Sequence, residues 1–207
     1  MMILEPRWKS YIVATNQAIF TPEQCDHIIR VGQGEKQLPA KVGPSTQTDK
    51  EQDPTKLKNT GVNDKNKRIT TISWLPFNRP DTIPMYKNIE QWVKNINMNH
   101  FGFDGIQITE QAQYTEYPEG AFYEWHTDND VDMKLQPPVR KISMTLLLSD
   151  ENDFEGGDLE MIDDKKRPKM KRGHAIFFAS FVRHRVTPVT KGNRKSLVMW
   201  FGGPPFK

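Results

Sequence analysis

The chain has 207 residues, 36% hydrophobic and 10% aromatic, and carries a net charge of +3. A domain of that length buries about 70% of its unfolded surface and needs no disulfides, and the single cysteine, Cys25, excludes an internal disulfide framework. No apolar run approaches the roughly 20 residues of a membrane span, Met1–Pro6 shows no secretion pattern, and the weak positive charge selects no class of partner, so a cytoplasmic protein is expected.

Thr21 fits an N-cap and Pro22 the first helical position. Cys25, Ile28 and Ile29 follow at helical spacing until Gly32 or Gly34 ends the element. Gly43–Lys67 is almost wholly polar and is expected to be one long mobile loop, of the kind that serves as a lid or binding loop. The β-branched run Arg68–Leu75 (RITTISWL) reads as a strand. Over Pro84–His100, Met85, Ile89, Trp92, Val93 and Ile96 trace one helical stripe. Beyond Gly102 the pattern changes to short strands: Ile106–Glu116, Arg140–Ser149, Asp158–Ile162, His174–Ala179 and Arg194–Gly202. The expectation is an α+β, mainly β chain of one domain, 1–207. Residues 1–105 supply helical and loop support, and 106–202 form a β core.

Three positions bear metal chemistry. His126 and Asp128 lie two residues apart on an extended segment, so both side chains point the same way and can reach one ion. An imidazole with a carboxylate suits borderline divalent metals such as iron, although an isolated His-x-Asp is common by chance. His184 follows the apolar run from Phe177. Ten residues on, Arg194 opens another apolar strand after a turn containing Gly192 and Asn193. This spacing predicts that the Arg194 strand lies antiparallel beside the His184 strand, with Arg194, Ser196, Val198 and Trp200 on one face. A buried arginine requires an anion, and a dicarboxylate supplies one in bidentate form. Two histidines and one carboxylate leave open positions on the metal, whereas closed zinc sites use four ligands. His27, His100 and His174 have no matching spacing and read as structural or surface residues.

Four linked motifs carry a resemblance. Tyr117–Asp128 (YPEGAFYEWHTD) looks like the strand that delivers the metal pair in prolyl 4-hydroxylase-type oxygenases. Arg140–Asp150 (RKISMTLLLSD) followed by Phe154–Leu159 (FEGGDL) closely resembles the next strand and turn of the PKHD-type hydroxylases. His184–Arg194 (HRVTPVTKGNR) is similar to their distal histidine and 2-oxoglutarate arginine. The likeness runs from about Ile106 to Phe201.

The resemblance implies a double-stranded β-helix (jelly-roll) over 106–202, with the N-terminal helices packed on one sheet. It implies Fe(II) held by His126, Asp128 and His184, with 2-oxoglutarate and O2 as cosubstrates and ascorbate as reductant. It also implies hydroxylation of an unactivated C–H bond, in a prolyl residue of a protein or peptide, with 2-oxoglutarate decarboxylated to succinate. Tyr117 would stand near 2-oxoglutarate, and Trp200 would line the cavity with Tyr123 as a substrate-pocket candidate. One departure stands out: animal prolyl hydroxylases place a tyrosine on the strand after the metal pair to help bind the distal carboxylate, and Leu147 is the nearest match here. That contact must come from Tyr117, Thr145 or Ser196, with Ser196 the first choice.

Other features have plainer readings. Gly156-Gly157 reads as a turn between strands. Lys165–Arg172 holds six basic residues in eight; it reads as a solvated hairpin, with docking to nucleic acid, a ribonucleoprotein or another acidic partner as the alternative. Trp74 and Trp92 read as packing, Trp125 as packing or site lining, and Cys25 as a core residue. Two rival functions remain: the same chemistry on a free amino acid, small metabolite or nucleic-acid base, and a non-catalytic metal-binding jelly-roll.

Overall fold

The computed structural model describes residues 11–44, 61–62, 64–129, 138–161 and 169–206. Met1–Pro6, Trp8 and residues 165–168 of the basic run lie outside them. Helix α1 (Pro22–Gly34) begins at a capping box in which the Thr21 hydroxyl accepts from the Gln24 N–H and the Gln24 side chain accepts from the Thr21 N–H. Two amides at the helix start are thereby satisfied. Gly32 lets α1 approach the sheet: a Cβ there would stand 2.3 Å from Tyr114 Cγ. Helix α2 (Ile83–Ile96) buries Met85, Tyr86, Ile89, Val93 and Ile96. It runs into a π-type turn over Asn97–Phe101 and stops at Gly102, whose φ of 69° provides a left-handed cap.

The strands among the described residues are β1 (Ile12–Ala14), β2 (Leu38–Pro39), β3 (Val42–Pro44), β4 (Gly61–Val62), β5 (Arg68–Ile69), β6 (Thr71–Leu75), β7 (Gln107–Ile108), β8 (Ala112–Pro118), β9 (Phe122–His126), β10 (Val139–Leu147), β11 (Phe154–Gly156), β12 (Leu159–Met161), β13 (Ala175–Ala179), β14 (His184–Val186) and β15 (Val189–Gly203). The larger sheet runs β1-β13-β10-β15-β8-β6-β2, with β7 and β11 added along β15. The smaller runs β12-β14-β9-β5. From β8 onward the chain alternates between them: β8, β10, β13 and β15 lie in the larger sheet, and β9, β12 and β14 in the smaller. This is the jelly-roll expected.

Period-two alternation gives the larger sheet two different faces. Tyr114, Ile142, Met144, Leu146, Phe177, Leu197, Met199 and Phe201 share one buried cluster with the apolar stripes of α1 and α2. The opposite, inner face carries Gln113, Thr115 and Tyr117 on β8, Ser143 and Thr145 on β10, and Arg194 and Ser196 on β15, all buried. Helix packing therefore stabilises the fold on one side and leaves the other side free for polar groups.

Two expectations need correction. Gly43–Lys67 is not wholly a loop, because β3 pairs with β4 and sets Val42 opposite Val62, β-branched residues suited to a strand; residues 45–60 and 63 lie outside the described ones. More importantly, β14 and β15 are not neighbours. β14 pairs with β9 and β12, whereas β15 pairs with β8 and β10. The intervening Thr187 and Pro188 form a corner bonded to other corners: Thr187 N–H donates to the Asp158 carbonyl, and the Pro188 carbonyl accepts from Gly157 N–H. Val189 N–H donates to Ala121 in the same way. Those bonds send the chain from the smaller sheet to the larger, and Gly192 and Asn193 lie inside β15 rather than in a turn.

Candidate metal centre

His126 closes β9 and His184 opens β14, and the two are direct partners in the antiparallel register. Their ring centroids are 4.2 Å apart. Asp128 lies just beyond β9, where its N–H and that of Asn129 both donate to the Ser180 carbonyl, at 2.9 and 3.1 Å. Its Oδ1 is 3.6 Å from His126 Nε2 and its Oδ2 is 3.6 Å from His184 Nε2. All three donor atoms fall within 4.8 Å of one another. Bonds of about 2.1 Å meeting at right angles place donors about 3 Å apart, so a small inward movement closes this set on one ion.

The histidine tautomers follow from their other nitrogens. His126 Nδ1 meets the Glu124 carbonyl at 2.7 Å, and His184 Nδ1 meets the Val182 carbonyl at 2.9 Å. A carbonyl only accepts, so each Nδ1 donates, and in the neutral ring Nε2 is left with the lone pair that faces Asp128. Burial, with His184 next, holds the His126 pKa down to about 4, so that ring is neutral near pH 7. Burial pushes the Asp128 carboxyl the other way. His184, His126, the Ser143 hydroxyl and Arg140 outweigh it and keep the group below the usual carboxylate range. Neutral imidazole and ionised carboxylate are the forms that bind a cation. Among the described residues no further His, Cys, Asp or Glu joins the three, which leaves positions on a bound ion for other ligands.

Arg194 lies on the inner face with 2% of its surface exposed. Its Nη1 donates to Ser196 Oγ at 3.1 Å, and its guanidinium carbon sits 5.5 Å from the Tyr117 ring centre. Burial lowers its pKa, against the opposing influence of Tyr117 and Asp158. In the strand registers Tyr117 faces Arg194, and Leu147 faces Ser196. Thr145 faces Val198, one inward position farther along β15. Thr115, which sequence reasoning passed over, also faces Ser196, and its buried hydroxyl has no hydrogen-bond partner among the described residues. Its signal was period two: it shares a strand face with Tyr117. Gly157, in the expected Gly-Gly turn, takes a φ of +62°; a Cβ there would lie 2.8 Å from Arg194 Cδ.

Several contacts join this face to the three ligands. The Tyr123 ring stacks on His126 with centroids 3.5 Å apart. On Tyr123 rests the Arg68 guanidinium, 4.4 Å from the ring centre, and Arg68 also donates to Gln113 at 3.0 Å. The Trp200 ring carries the Arg140 guanidinium at 4.0 Å. Arg140 holds Glu110 through two nitrogens and reaches the Asp128 carbonyl at 3.5 Å. Arg68, Arg140, Ser143 and Ser180 were not singled out from the sequence, because only long-range pairing brings them to the ligands. Trp74 packs near Trp200, with the ring centroids 6.2 Å apart. Trp125 points away from its neighbour His126, with Arg183 and Arg185 over its ring. His27 and His174 bond to the Asp81 and Thr15 carbonyls, away from the centre. Arg172, at the end of the basic run, bonds Asp26 and the Leu148 carbonyl rather than facing solvent alone.

A jelly-roll that brings two histidines of the smaller sheet and an aspartate just beyond β9 together, with a buried arginine on the larger sheet, defines a double-stranded β-helix with a candidate metal centre. Residues 112–202 match the model of the 2OG-Fe(II) oxygenase superfamily. The Pseudomonas fluorescens PKHD-type hydroxylase is 35% identical over 89 residues, covering 41% of this chain and 39% of the relative. A second PKHD-type hydroxylase, from Rippkaea orientalis, is 28% identical over 142 residues, covering 63% and 64%. The matches thus span about two fifths to two thirds of those relatives. Among solved structures, a Pseudomonas putida prolyl-4-hydroxylase superposes with a TM-score of 0.67 at 20% identity, covering 94% of both chains. A Trichoplax adhaerens prolyl hydroxylase in complex with a peptide fragment of the hypoxia inducible factor oxygen degradation domain gives 0.65 at 16% identity, covering 93% of this chain and 84% of that one. At those identities the likeness is one of fold. No helix among the described residues is long and apolar enough to cross a membrane.

Proposed function

We propose that the protein is an Fe(II)- and 2-oxoglutarate-dependent dioxygenase that hydroxylates an unactivated C–H bond, in a prolyl residue of a protein or peptide. The observation that carries this reading is the pairing of a three-donor His/Asp/His set with a buried arginine that makes no ion pair among the described residues. The donor set fits Fe(II): two neutral nitrogens and one anionic oxygen satisfy part of its coordination and leave room for a chelating 2-oxo acid. When bound, the ion supplies a centre where dioxygen is reduced as 2-oxoglutarate is decarboxylated, one oxygen atom entering succinate and the other the substrate.

The chain's own residues bind and orient. Arg194 holds the distal carboxylate of 2-oxoglutarate in a desolvated pocket, with Ser196, Thr115 and Tyr117 beside it. Leu147, where a helper tyrosine would stand, contributes only apolar wall. The guanidinium fork reads carboxylate geometry and fixes the 2-oxo end towards the metal. Tyr123 and Trp200 wall the cavity, and each is braced by an arginine, so their rings have little freedom to turn. Thr145 lies farther from Arg194 than Thr115 does and belongs to the wall. Support for a prolyl substrate comes from the PKHD-type relatives and from prolyl hydroxylase neighbours, one of them with a peptide bound.

The test is succinate release dependent on added Fe(II) and 2-oxoglutarate, followed by mass spectrometry of proline-containing peptides for gain of one oxygen atom. Product on an amino acid, metabolite or oligonucleotide pool instead would redirect the substrate and keep the chemistry. Binding of 2-oxoglutarate without turnover under any condition would sink the enzymatic reading.

A further inference from the structure

Four strands of the larger sheet meet at one level of its inner face. Ser196 on β15 faces Thr115 on β8 along one flank and Leu147 on β10 along the other. Beyond Thr115, β6 sets Ile72 in the same row. All four side chains are buried, so the row is apolar at both ends and carries two hydroxyls side by side in the middle. Facing residues of antiparallel strands hold their Cβ atoms about 5 Å apart, close enough for both hydroxyls to reach one oxygen atom set between them. The next inward position on β15 is Arg194, whose Nη1 donates to Ser196 Oγ at 3.1 Å.

Neither hydroxyl has spent its proton. A guanidinium only donates, so Ser196 Oγ is the acceptor of that bond and keeps its own hydrogen to give. Thr115 is 0% exposed, and its Oγ1 has no hydrogen-bond partner among the described residues. A desolvated hydroxyl is unfavourable until it finds a partner. On the other flank Leu147 has no polar side-chain atom, and Thr145 faces Val198 in a different row. Tyr117 meets Arg194 with its ring, 5.5 Å from the guanidinium carbon. The second donor to an anion held by Arg194 therefore belongs to the β8 flank.

We propose that Thr115 is a specificity-determining residue of this pocket: its hydroxyl, together with that of Ser196, donates to the distal carboxylate held by Arg194 and selects a 2-oxo dicarboxylate over a 2-oxo monocarboxylate. The inference rests on the reading of Arg194 as the 2-oxoglutarate arginine. The task that the resemblance gives to a tyrosine on β10 thus crosses β15 to a threonine on β8. A ligand ending in a methyl group accepts from neither hydroxyl and leaves both, with the guanidinium, unsatisfied. A site built to hydrogen-bond its ligand rejects such an analogue for that reason.

Calorimetry on the whole Mn(II)-loaded chain reads binding without turnover. The ligands are 2-oxoglutarate and 2-oxopentanoate, which ends in a methyl group where 2-oxoglutarate has its distal carboxylate. Thr115→Val keeps the side-chain shape and removes the hydroxyl. The expected result is 2-oxoglutarate binding weakened by about tenfold or more, with 2-oxopentanoate binding within about threefold of the unmutated protein. The melting temperature of the ligand-free variant should be unchanged or raised. Thr115→Ser, which restores a hydroxyl, should bind 2-oxoglutarate within about threefold of the unmutated protein. A role in packing alone would weaken both ligands alike and lower the melting temperature, and that pattern overturns the proposal. Should Thr115→Val not fold, Thr115→Ala compared with Thr115→Ser carries the same test. Unchanged 2-oxoglutarate affinity in Thr115→Val, with 2-oxopentanoate still rejected, overturns the role of Thr115 alone. An unmutated protein that binds the two ligands equally overturns the reading of Arg194, and that of Thr115 with it.

Discussion

Replacing Arg194 with methionine should damage function while leaving the fold intact or strengthening it. Arg194 is 2% exposed, has Ser196 as its hydrogen-bond partner, and has its pKa lowered by burial. In the metal-free, ligand-free protein it is a desolvated cation with no ion pair among the described residues. Exchanging a buried ionic group for an apolar side chain of similar length is commonly neutral or stabilising by about 1–4 kcal/mol. With the Ser196 hydroxyl left behind, an effect between zero and about 2 kcal/mol is expected, or up to roughly 4–8 °C in melting temperature for a chain of this size. Binding should move the other way. Loss of a buried charge-assisted contact costs about 2–5 kcal/mol, or roughly 30- to 5,000-fold in the dissociation constant for 2-oxoglutarate.

Melting curves with Mn(II), recorded with and without 2-oxoglutarate, display both effects in one experiment. Ligand at about 100 times its dissociation constant stabilises the unmutated protein by about 2.7 kcal/mol, so the order of the two melting temperatures should reverse on saturation. Retained 2-oxoglutarate affinity, within about threefold, would show that Arg194 does not hold the ligand. A variant less stable than its parent by more than about 2 kcal/mol would show that the guanidinium is already well paired.

Asp128→Ala should reduce metal affinity by more than the roughly 100-fold upper range for an outer-shell partner, measured by equilibrium dialysis with elemental analysis; tight binding in this variant would place the ion elsewhere. In the metal-free protein, the His126 pKa of about 4 lies below its ordinary 6.5. The unfolded chain therefore takes up this proton first, so the stabilisation is whole above pH 6.5, shrinks as pH falls, and is lost by about pH 4. Urea unfolding between pH 7 and 4 should show a decline of up to about 3 kcal/mol from this group that His126→Ala flattens; an equal slope in the variant would remove His126 as the cause. Gly157→Ala forces a non-glycine side chain to φ +62° and brings a Cβ to 2.8 Å from Arg194 Cδ. Calorimetry should find 2-oxoglutarate binding weakened by about tenfold or more through the displaced Arg194, and unaltered binding would mean that the stem of Arg194 can give way.

What could be read from the chain before folding was what is local. Thr21 and Pro22 announced a helix start, and Met85, Ile89 and Val93 announced its partner, because capping and helical periodicity involve neighbours a few residues apart. His126 and Asp128 were legible for the same reason, and His184 and Arg194 became so through their linked motifs. The spatial relation of β14 to β15 was misjudged because nearness in sequence was taken for nearness in a sheet. Thr187 and Pro188 instead bond to the corners at Gly157 and Asp158. Ser143, Ser180 and Arg68 were invisible as site groups for a related reason: a serine on a strand or in a corner looks the same whether it faces water or a ligand. Thr115 and Ser143 were nonetheless within reach, since each lies two residues from a position already singled out on the same strand face.

The pairing of His126 with His184 has a consequence for folding as well as for chemistry. The two residues are 58 positions apart (184 − 126) and face each other across β9 and β14. A slip of one residue between those strands would turn one imidazole to the opposite face of the sheet and break the donor set. An ion that needs both rings therefore recognises only chains whose smaller sheet has closed in register, and by mass action it draws the folding equilibrium towards them. Closing such a long loop carries an entropic cost that short-range elements avoid, so β14 should be among the later strands to dock. Metal uptake during refolding would then serve as a clock for the final assembly of the barrel.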